Sequence, residues 1–331
     1  MVFWRPHKHQ RTESLYTQAL NAVVHGDYST AITLLRRVVK QDTEHVDAYL
    51  QLGDILREQG NPQQALKIHQ SLTVRPNLSE RLQRDIHKSL ALDYHKLNQF
   101  TKAEDEAKRL LKLDHRNQWA VEFLLNIAVQ ERKWKAAAKH ANTLQKFRNQ
   151  QDPVQLATFQ VYEGLEELEQ GDRKGAEAHF KQALKLAPKF GLPYKHLGDL
   201  YAENRELVKA IEMWEQFALL DSARAPQVFS KIESALFDLG RFSEVEKFYE
   251  RMLKKDAGHL DATVRLANVL EEKGQHEQAL HLIEDALVRH SDSIIVKLMK
   301  LKLSLHQAPP HELAHQIDEL MESLTTQERQ E

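Results

Sequence analysis

One short segment near the end of the chain has the residue types and spacing of a metal-dependent hydrolase. His311-Glu312-Leu313-Ala314-His315 fits the HExxH pattern, which places two histidines on one helical face as zinc ligands with a glutamate as general base. Such a site also needs a third ligand and a substrate cleft, and only sixteen residues follow His315. The open readings are a zinc hydrolase, adventitious metal affinity and an ordinary exposed helix. We expect the last.

The rest of the chain offers few groups for catalysis. It has eighteen histidines and no cysteine, which excludes thiolate zinc sites, disulfides and a cysteine nucleophile. The phosphate-binding and nucleophile patterns GxxxxGK[ST], GxGxxG and GxSxG do not occur. His69 and His276 take positions that packing residues normally fill, so we expect them to be buried and neutral, or half-exposed. The sequence therefore predicts no enzyme, no cofactor and no metal.

A helix, a tight turn and a second helix are predicted over residues 50–72. Gly53 and Ala65 are small at the position where the two antiparallel helices cross, which would let the backbones approach closely. Gly60 can adopt the left-handed conformation that ends a helix, and Pro62 follows where a missing N–H is tolerated.

This helical hairpin recurs along the chain. Its small residue returns at spacings of 34, 38, 34, 39, 34, 35 and 34, at Ala31, Ala65, Ala103, Ala137, Ala176, Ala210, Val245 and Ala279. The turn position is held by Gly26, Gly60, Asn98, Arg132, Gly171, Arg205, Gly240 and Gly274. A two-helix unit of 34 residues is typical of tetratricopeptide repeats, and the sequence resembles that family.

The resemblance implies an all-α fold, a right-handed superhelix of eight hairpins closed by a capping helix pair. The predicted segments are 1–11, a basic lead; 12–293, eight repeats; 294–325, the capping helices; and 326–331, a polar tail. The last helix has an apolar stripe at helical spacing, consisting of Leu313, Ile317, Leu320, Met321 and Leu324. We expect this stripe to pack on the array and end the stacking.

Charge and hydropathy exclude several partners. The net charge of −2 and the pI near 6.8 give no general attraction to nucleic acid or anionic lipid. No stretch is apolar enough for a membrane helix or a signal peptide, so no integral membrane segment is predicted. The basic lead is expected to be a frayed terminus; the alternative is peripheral contact with a membrane or an acidic partner.

The family resemblance also implies where a ligand binds. First helices of such repeats line a concave groove, and positions 2, 5, 6, 9, 12 and 13 of each repeat face a bound protein or peptide. In the fourth and fifth repeats these positions predict partner-binding residues at Trp119, Phe123, Asn126, Val161, Tyr162 and Leu165, of which all but Asn126 are apolar anchors. In the second and third repeats they predict register-setting charges at Asp54, Arg57, Lys88 and Lys96. The alternative is that the apolar set packs inside the irregular junction at 152–156.

Two segments resemble a narrower family of bacterial tetratricopeptide adaptors of lipopolysaccharide assembly. They are Leu52–Arg57 with Ile68-His69-Gln70, and Asp93-Tyr94 after a lengthened link. The resemblance implies a cytoplasmic adaptor at the inner membrane; the membrane helix and cysteine-rich metal domain of that family do not occur in this sequence. The predicted function is a non-enzymatic scaffold in envelope assembly. The alternatives are a general adaptor, self-association through the end helix and the zinc hydrolase.

Overall fold

The computed structural model describes residues 6–305 and 308–328, and within them it is built from eighteen α-helices with no strand. The helices are α1 Pro6–Val24, α2 Tyr28–Gln41, α3 Val46–Glu58, α4 Pro62–Leu72, α5 Glu80–Lys96, α6 Phe100–Leu113, α7 Gln118–Gln130, α8 Trp134–Arg148, α9 Pro153–Glu169, α10 Arg173–Leu186, α11 Gly191–Glu203, α12 Leu207–Leu220, α13 Pro226–Asp238, α14 Ser243–Lys255, α15 Leu260–Glu272, α16 His276–Arg289, α17 Ile294–Ser304 and α18 Pro310–Glu328. A short 3₁₀ turn, Ser222–Arg224, precedes α13. The predicted all-α fold is confirmed.

The helices follow one another as the eight predicted hairpins and one further pair, α17 and α18. The chain divides into two compact units between Phe159 and Gln160, inside α9. We call them the N-terminal and C-terminal units. The first helix begins at Pro6, within the segment predicted as a basic lead, and α18 extends to Glu328, within the predicted polar tail. Residues 1–5 and 329–331 lie outside the described residues.

All eight predicted turn residues adopt the left-handed backbone conformation. Their φ angles lie between 55° and 84°. A residue in this conformation ends a helix by letting its N–H reach back to a free carbonyl of the last turn. Arg132 and Arg205 do so in spite of their side chains. Two further described residues other than glycine have a positive φ, Asn77 at 58° and Asn149 at 51°, and they lie in the two lengthened junctions.

Glycines inside three first helices make room for large rings from the second helix. A Cβ built on each glycine would lie 2.3–2.6 Å from a ring atom, in the pairs Gly53 with His69, Gly164 with Phe180, and Gly198 with Trp214. The expectation that Gly53 and Ala65 permit a close backbone crossing was therefore incomplete. The space beside Gly53 is filled by a side chain four residues after Ala65. In the first hairpin the equivalent positions hold Ala19 and Leu35, in one core cluster.

The last helix pair covers the end of the C-terminal unit only in part. In α17, Val296, Met299 and Leu303 are buried. On the apolar stripe of α18, Leu313 and Leu320 are half-buried, whereas Ile317, Met321 and Leu324 are exposed. One edge of the stripe thus stays open to solvent.

Candidate functional site

A basic and aromatic surface lies on the first helices of the N-terminal unit. The Nζ atom of Lys88 lies 5.2 Å from the ring centroid of Trp119, and the Trp119 ring stacks on Phe123 with centroids 4.9 Å apart. The ring centroids of His95 and Phe123 are also 5.6 Å apart. Asn126, one helical turn beyond Phe123, is exposed. We call these five residues the α7 surface. The structure thus places a predicted register charge, Lys88, directly on a predicted apolar anchor, Trp119.

The members of the α7 surface differ in what they can offer a ligand. Phe123 is only 9% exposed, so it supports Trp119 from below. Trp119 is half-buried, and Lys88 and Asn126 are exposed. A cation held over an aromatic face contributes about 0.5–1 kcal/mol at an exposed site. This contact orients an amphipathic ring next to a positive charge.

Charged residues fill the neighbouring surface between α3 and α5. A pocket of about 370 Å³ is lined by three of the four predicted charges, Asp54, Arg57 and Lys88, together with Asp47, Arg81 and Asp85. Arg81 bridges the two other acids: its Nη2 lies 2.9 Å from Asp47 Oδ1 and its Nη1 lies 3.3 Å from Asp85 Oδ2. Lys96, the fourth predicted charge, is exposed in the last turn of α5.

Arg57 belongs to a buried network that joins α3, α4 and α5. Its Nη1 donates to Asp93 Oδ1 at 3.1 Å and pairs with Asp54 Oδ1 at 2.7 Å. On the other side of Asp93, His69 Nδ1 donates to Oδ2 at 2.6 Å. The side chains of His69 and Asp93 have no exposed surface. Arg57 is therefore a packing residue of this junction, and of the four predicted charges it offers a ligand the least.

The hydrogen bonds of His69 define its charge. Its Nε2 faces the carbonyl oxygen of Leu50 at 3.2 Å, while Nδ1 faces a carboxylate, and both partners only accept hydrogen bonds. Both ring nitrogens therefore face acceptors, a geometry that favours a protonated ring over the neutral one that the sequence predicts. Burial acts to lower the pKa of Arg57, but Asp54 and Asp93 outweigh it and leave that pKa above its ordinary value. Two cations and two anions then balance in the network.

Asp93 has a role that the sequence reasoning did not assign. Its spacing gave a signal, because Ile86, Leu90 and Asp93 share one helical face and all three are buried. A carboxylate on an apolar face indicates a buried partner of opposite charge.

The three anchors predicted on α9 belong to the C-terminal unit. Val161 is fully buried and presents no surface to a ligand. Tyr162 is 38% exposed, and Leu165 is half-buried. Of this set, Tyr162 has the most accessible ring.

A groove of the C-terminal unit was not predicted. It has a volume of about 430 Å³ and lies between α13, α15 and α17. Phe237, Val264 and Ile295 form its apolar part, and Phe237 and Ile295 are 47% and 46% exposed. Asp261, Arg265, Asn268 and Glu272 form its polar rim. These residues occupy the ligand-facing offsets of their repeats, so the offsets could have revealed it. We call it the C-terminal groove.

His196 is a titratable group at a ligand-facing offset that the structure largely buries. Its ring stacks on Phe180 with centroids 5.4 Å apart. Burial, together with the charge of Lys195, lowers the pKa of His196 to about 4, although Asp199 acts in the opposite direction. His196 is therefore neutral in the folded protein at neutral pH.

This burial predicts a loss of stability in mild acid. Between pH 6.5, near the pKa of an unfolded histidine, and pH 4, the unfolded chain binds a proton at His196 that the folded chain does not. The free energy of unfolding should therefore fall as the pH falls, by about 3 kcal/mol for this group. Urea unfolding at several pH values should show a smaller decline in His196→Gln than in the wild type. His281→Gln, at an exposed ring, should keep the wild-type slope; equal slopes in all three proteins would contradict the assignment.

The HExxH segment lies on α18, with His311, Glu312 and His315 exposed. His315 Nδ1 lies 3.4 Å from Glu319 Oε1, one turn along the same helix. In the part of the chain that the structure describes, no group of three or more His, Asp or Glu side chains is arranged to hold a metal ion. Across the same residues, no helix has the length and apolar character needed to cross a membrane.

The helical hairpins and their first-helix surfaces define an all-α repeat scaffold of the kind that binds other proteins. Sequence profiles of the tetratricopeptide repeat match residues 16–74, 163–227 and 236–303. The chain belongs to the tetratricopeptide repeat family, whose members bind protein or peptide partners.

The narrower resemblance is confirmed by curated relatives. The chain is 24% identical over 290 residues to lipopolysaccharide assembly protein B of Escherichia coli K12, covering 87% of this chain and 74% of that protein. It is 23% identical over 293 residues to the Haemophilus influenzae protein of the same name, covering 85% and 72%.

Two solved structures align with most of this chain. A tetratricopeptide repeat protein from Parabacteroides merdae has a TM-score of 0.40 and 17% identity, over 89% of this chain and 99% of that one. A chain from the structure of Naa15/Naa10 bound to HypK-THB has a TM-score of 0.47 and 17% identity, over 88% and 44%.

Proposed function

We propose that the protein is a non-enzymatic adaptor that binds a segment of a partner protein on the α7 surface. The observation that carries this proposal is the contact of Lys88 with Trp119, stacked in turn on Phe123. Together they offer an aromatic face, a fixed positive charge and a rigid support. Rigid aromatic residues with a charged neighbour are typical of the side chains that dominate binding energy.

The α7 surface favours a particular ligand chemistry. An apolar side chain of the partner would lie against Trp119, and a carboxylate beside it would pair with Lys88. The exposed amide of Asn126 can both donate to and accept from an extended peptide backbone. Tyr162 and the C-terminal groove offer further apolar contact surface in the other unit.

We further propose that this adaptor acts in lipopolysaccharide assembly, at the cytoplasmic face of the inner membrane. The relatives named lipopolysaccharide assembly protein B support this, because the match extends over most of both chains. The alternative is an adaptor of the same architecture that serves another process. Identification of the bound partner separates the two.

The proposal is tested by affinity purification from the native host, followed by measurement of the dissociation constant for the recovered partner. We expect Trp119→Ala to weaken binding about 30-fold, equivalent to about 2 kcal/mol, and Lys88→Glu to weaken it further. Tyr28→Ala removes an exposed aromatic ring from α2, a second helix, and should bind as the wild type does. Equal affinity in the wild type and all three variants would rule out the α7 surface as the binding site. A partner unrelated to the envelope would leave only the alternative, a general adaptor.

A further inference from the structure

A pocket of the N-terminal unit lies at a lengthened junction between two repeats. The spacing from Ala65 to Ala103 is 38 residues, four more than the regular 34. The link from α4 to α5 covers residues 73–79, and α5 has 17 residues where α3 has 13. In this link Asn77 turns the chain with a φ of 58°. The pocket has a volume of about 470 Å³ and is lined by Thr73, Arg75, Asn77, Leu78, Gln83, Ile86, His87 and Arg109. We call it the junction pocket.

The junction pocket is positively charged. Among the described residues that line it, Arg75, Arg109 and His87 are basic and none is acidic. This is unexpected in a chain with 46 basic and 48 acidic residues. The pocket between α3 and α5 and the C-terminal groove each have at least three acidic lining residues.

One carboxylate lies next to the junction pocket and offsets part of this charge. Glu106 Oε2 lies 2.7 Å from His87 Nδ1, and its Oε1 lies 3.7 Å from Arg109 Nη1. The second distance is too long for a hydrogen bond, and the Arg109 side chain is 61% exposed. The guanidinium of Arg109 thus keeps donors for another acceptor.

Arg75 is held in place with a donor left over. Its guanidinium carbon lies 4.5 Å from the ring centroid of Tyr49, which fixes the side chain by a cation–π contact. Its Nη1 is buried and has no hydrogen-bond partner among the described residues. A buried unsatisfied donor is costly, and in native proteins it generally has an acceptor. The guanidinium of Arg75 is therefore prepared to bind one.

The second lengthened junction provides a comparison within the same chain. Its spacing, from Ala137 to Ala176, is 39 residues, and a pocket of about 440 Å³ lies there too. That pocket is lined mainly by amides, at Asn142, Gln145, Asn149, Gln150 and Gln151, with Lys146 as its single described cation. Extra residues at a repeat junction alone therefore do not produce a basic pocket. The positive charge at the first junction comes from the choice of Arg75 and Arg109.

We propose that the junction pocket binds a phosphate group, either as inorganic phosphate or as a phosphomonoester. Guanidinium groups present paired N–H donors that match the oxygens of phosphate. Thr73, Asn77 and Gln83 add neutral donors around the two arginines. This inference does not depend on peptide binding at the α7 surface.

The test is isothermal titration of the full chain with inorganic phosphate, glucose 6-phosphate and glucose, at an ionic strength fixed with chloride. Both phosphates should bind and glucose should not. Arg109→Gln should weaken phosphate binding about tenfold, and Arg75→Gln combined with Arg109→Gln about a hundredfold. The matched control is Arg36→Gln with Arg37→Gln, which removes the same charge from exposed positions of α2 and should bind as the wild type does.

Several outcomes would overturn the proposal. Absence of phosphate binding by the folded wild type would do so, and so would equal weakening by the two double variants, which would show a general charge effect. The double variant could fail to fold, because it loses the contact between Arg75 and Tyr49. Arg109 is exposed, so Arg109→Gln alone still tests the pocket in that case. Unchanged phosphate binding by Arg109→Gln would count against the proposal. Sedimentation with phosphatidylcholine vesicles, with and without phosphatidic acid, shows whether the phosphomonoester can be a lipid headgroup. A lipid headgroup would bind only in vesicles with phosphatidic acid, and only with both arginines present.

Discussion

Replacing Asp93 with asparagine is expected to lower the free energy of unfolding by about 4 kcal/mol, the largest effect of any single substitution considered for this protein. The carboxylate accepts from His69 on one oxygen and from Arg57 on the other, and its side chain is fully buried. Asparagine keeps the shape but removes the negative charge. The N–H₂ group of the asparagine amide would also face either His69 or Arg57, and both of these are donors.

The cost arises from the charges left behind. Without Asp93, the cations His69 and Arg57 share only Asp54, which is about one-third exposed. Removing one partner of a buried pair leaves an uncompensated charge, which is far more costly than losing the pair as a whole. We therefore expect Asp93→Asn to be less stable than a variant in which both His69 and Asp93 are replaced by leucine.

Urea unfolding followed by circular dichroism measures the effect, and hydrogen exchange locates it. Exchange should accelerate first in α3, α4 and α5, which the network joins. Asp54→Asn is the matched control, because the same change at a partly exposed carboxylate should cost about 1 kcal/mol. If both variants lost the same stability, the network would not have the buried charge balance that its geometry indicates.

Gly198→Ala is expected to lower the free energy of unfolding by about 3 kcal/mol, although alanine favours a helix more than glycine does. A Cβ at position 198 would lie 2.4 Å from Trp214 Cδ1. The indole cannot easily move, since it is buried and its Nε1 donates to Asp199 Oδ1 at 2.9 Å. The strain must therefore be taken up by the helix packing of α11 on α12.

A second substitution should restore part of the loss. Gly198→Ala combined with Trp214→Leu gives the sixth hairpin the pair that the first hairpin has at Ala19 and Leu35. Trp214→Leu alone leaves a cavity beside the glycine, and the added methyl group fills part of it. The double variant should thus be more stable than the sum of the two single changes predicts, by at least about 1 kcal/mol.

Gly175→Ala provides the control for the glycine substitution. A Cβ at position 175 would meet carboxylate oxygens of Glu167 and Asp172, the ends of flexible side chains that can move aside. Thermal unfolding of this variant should stay close to that of the wild type. Strict additivity in the Gly198 and Trp214 cycle would show that the two residues do not share one space.

The sequence by itself determined the repeat and the turns of this protein. These are properties of local spacing: helix periodicity, the conformation that ends a helix, and the recurrence of one small residue. All eight turn residues, even Arg132 and Arg205, adopt the left-handed conformation that their position predicts. A regular array makes such rules reliable, because each hairpin meets neighbours of the same design.

The tertiary structure alone decided which side chains share a space or a charge. His69 and Asp93 are 24 residues apart, and the approach of Lys88 to Trp119 crosses from one repeat to the next. Such contacts depend on rotamers and on how closely each helix pair packs, which residue spacing does not fix. The charge of the junction pocket and the burial of Val161 also depend on the tertiary structure. Both lie near a lengthened repeat junction, where the regular 34-residue spacing does not predict which side chains meet.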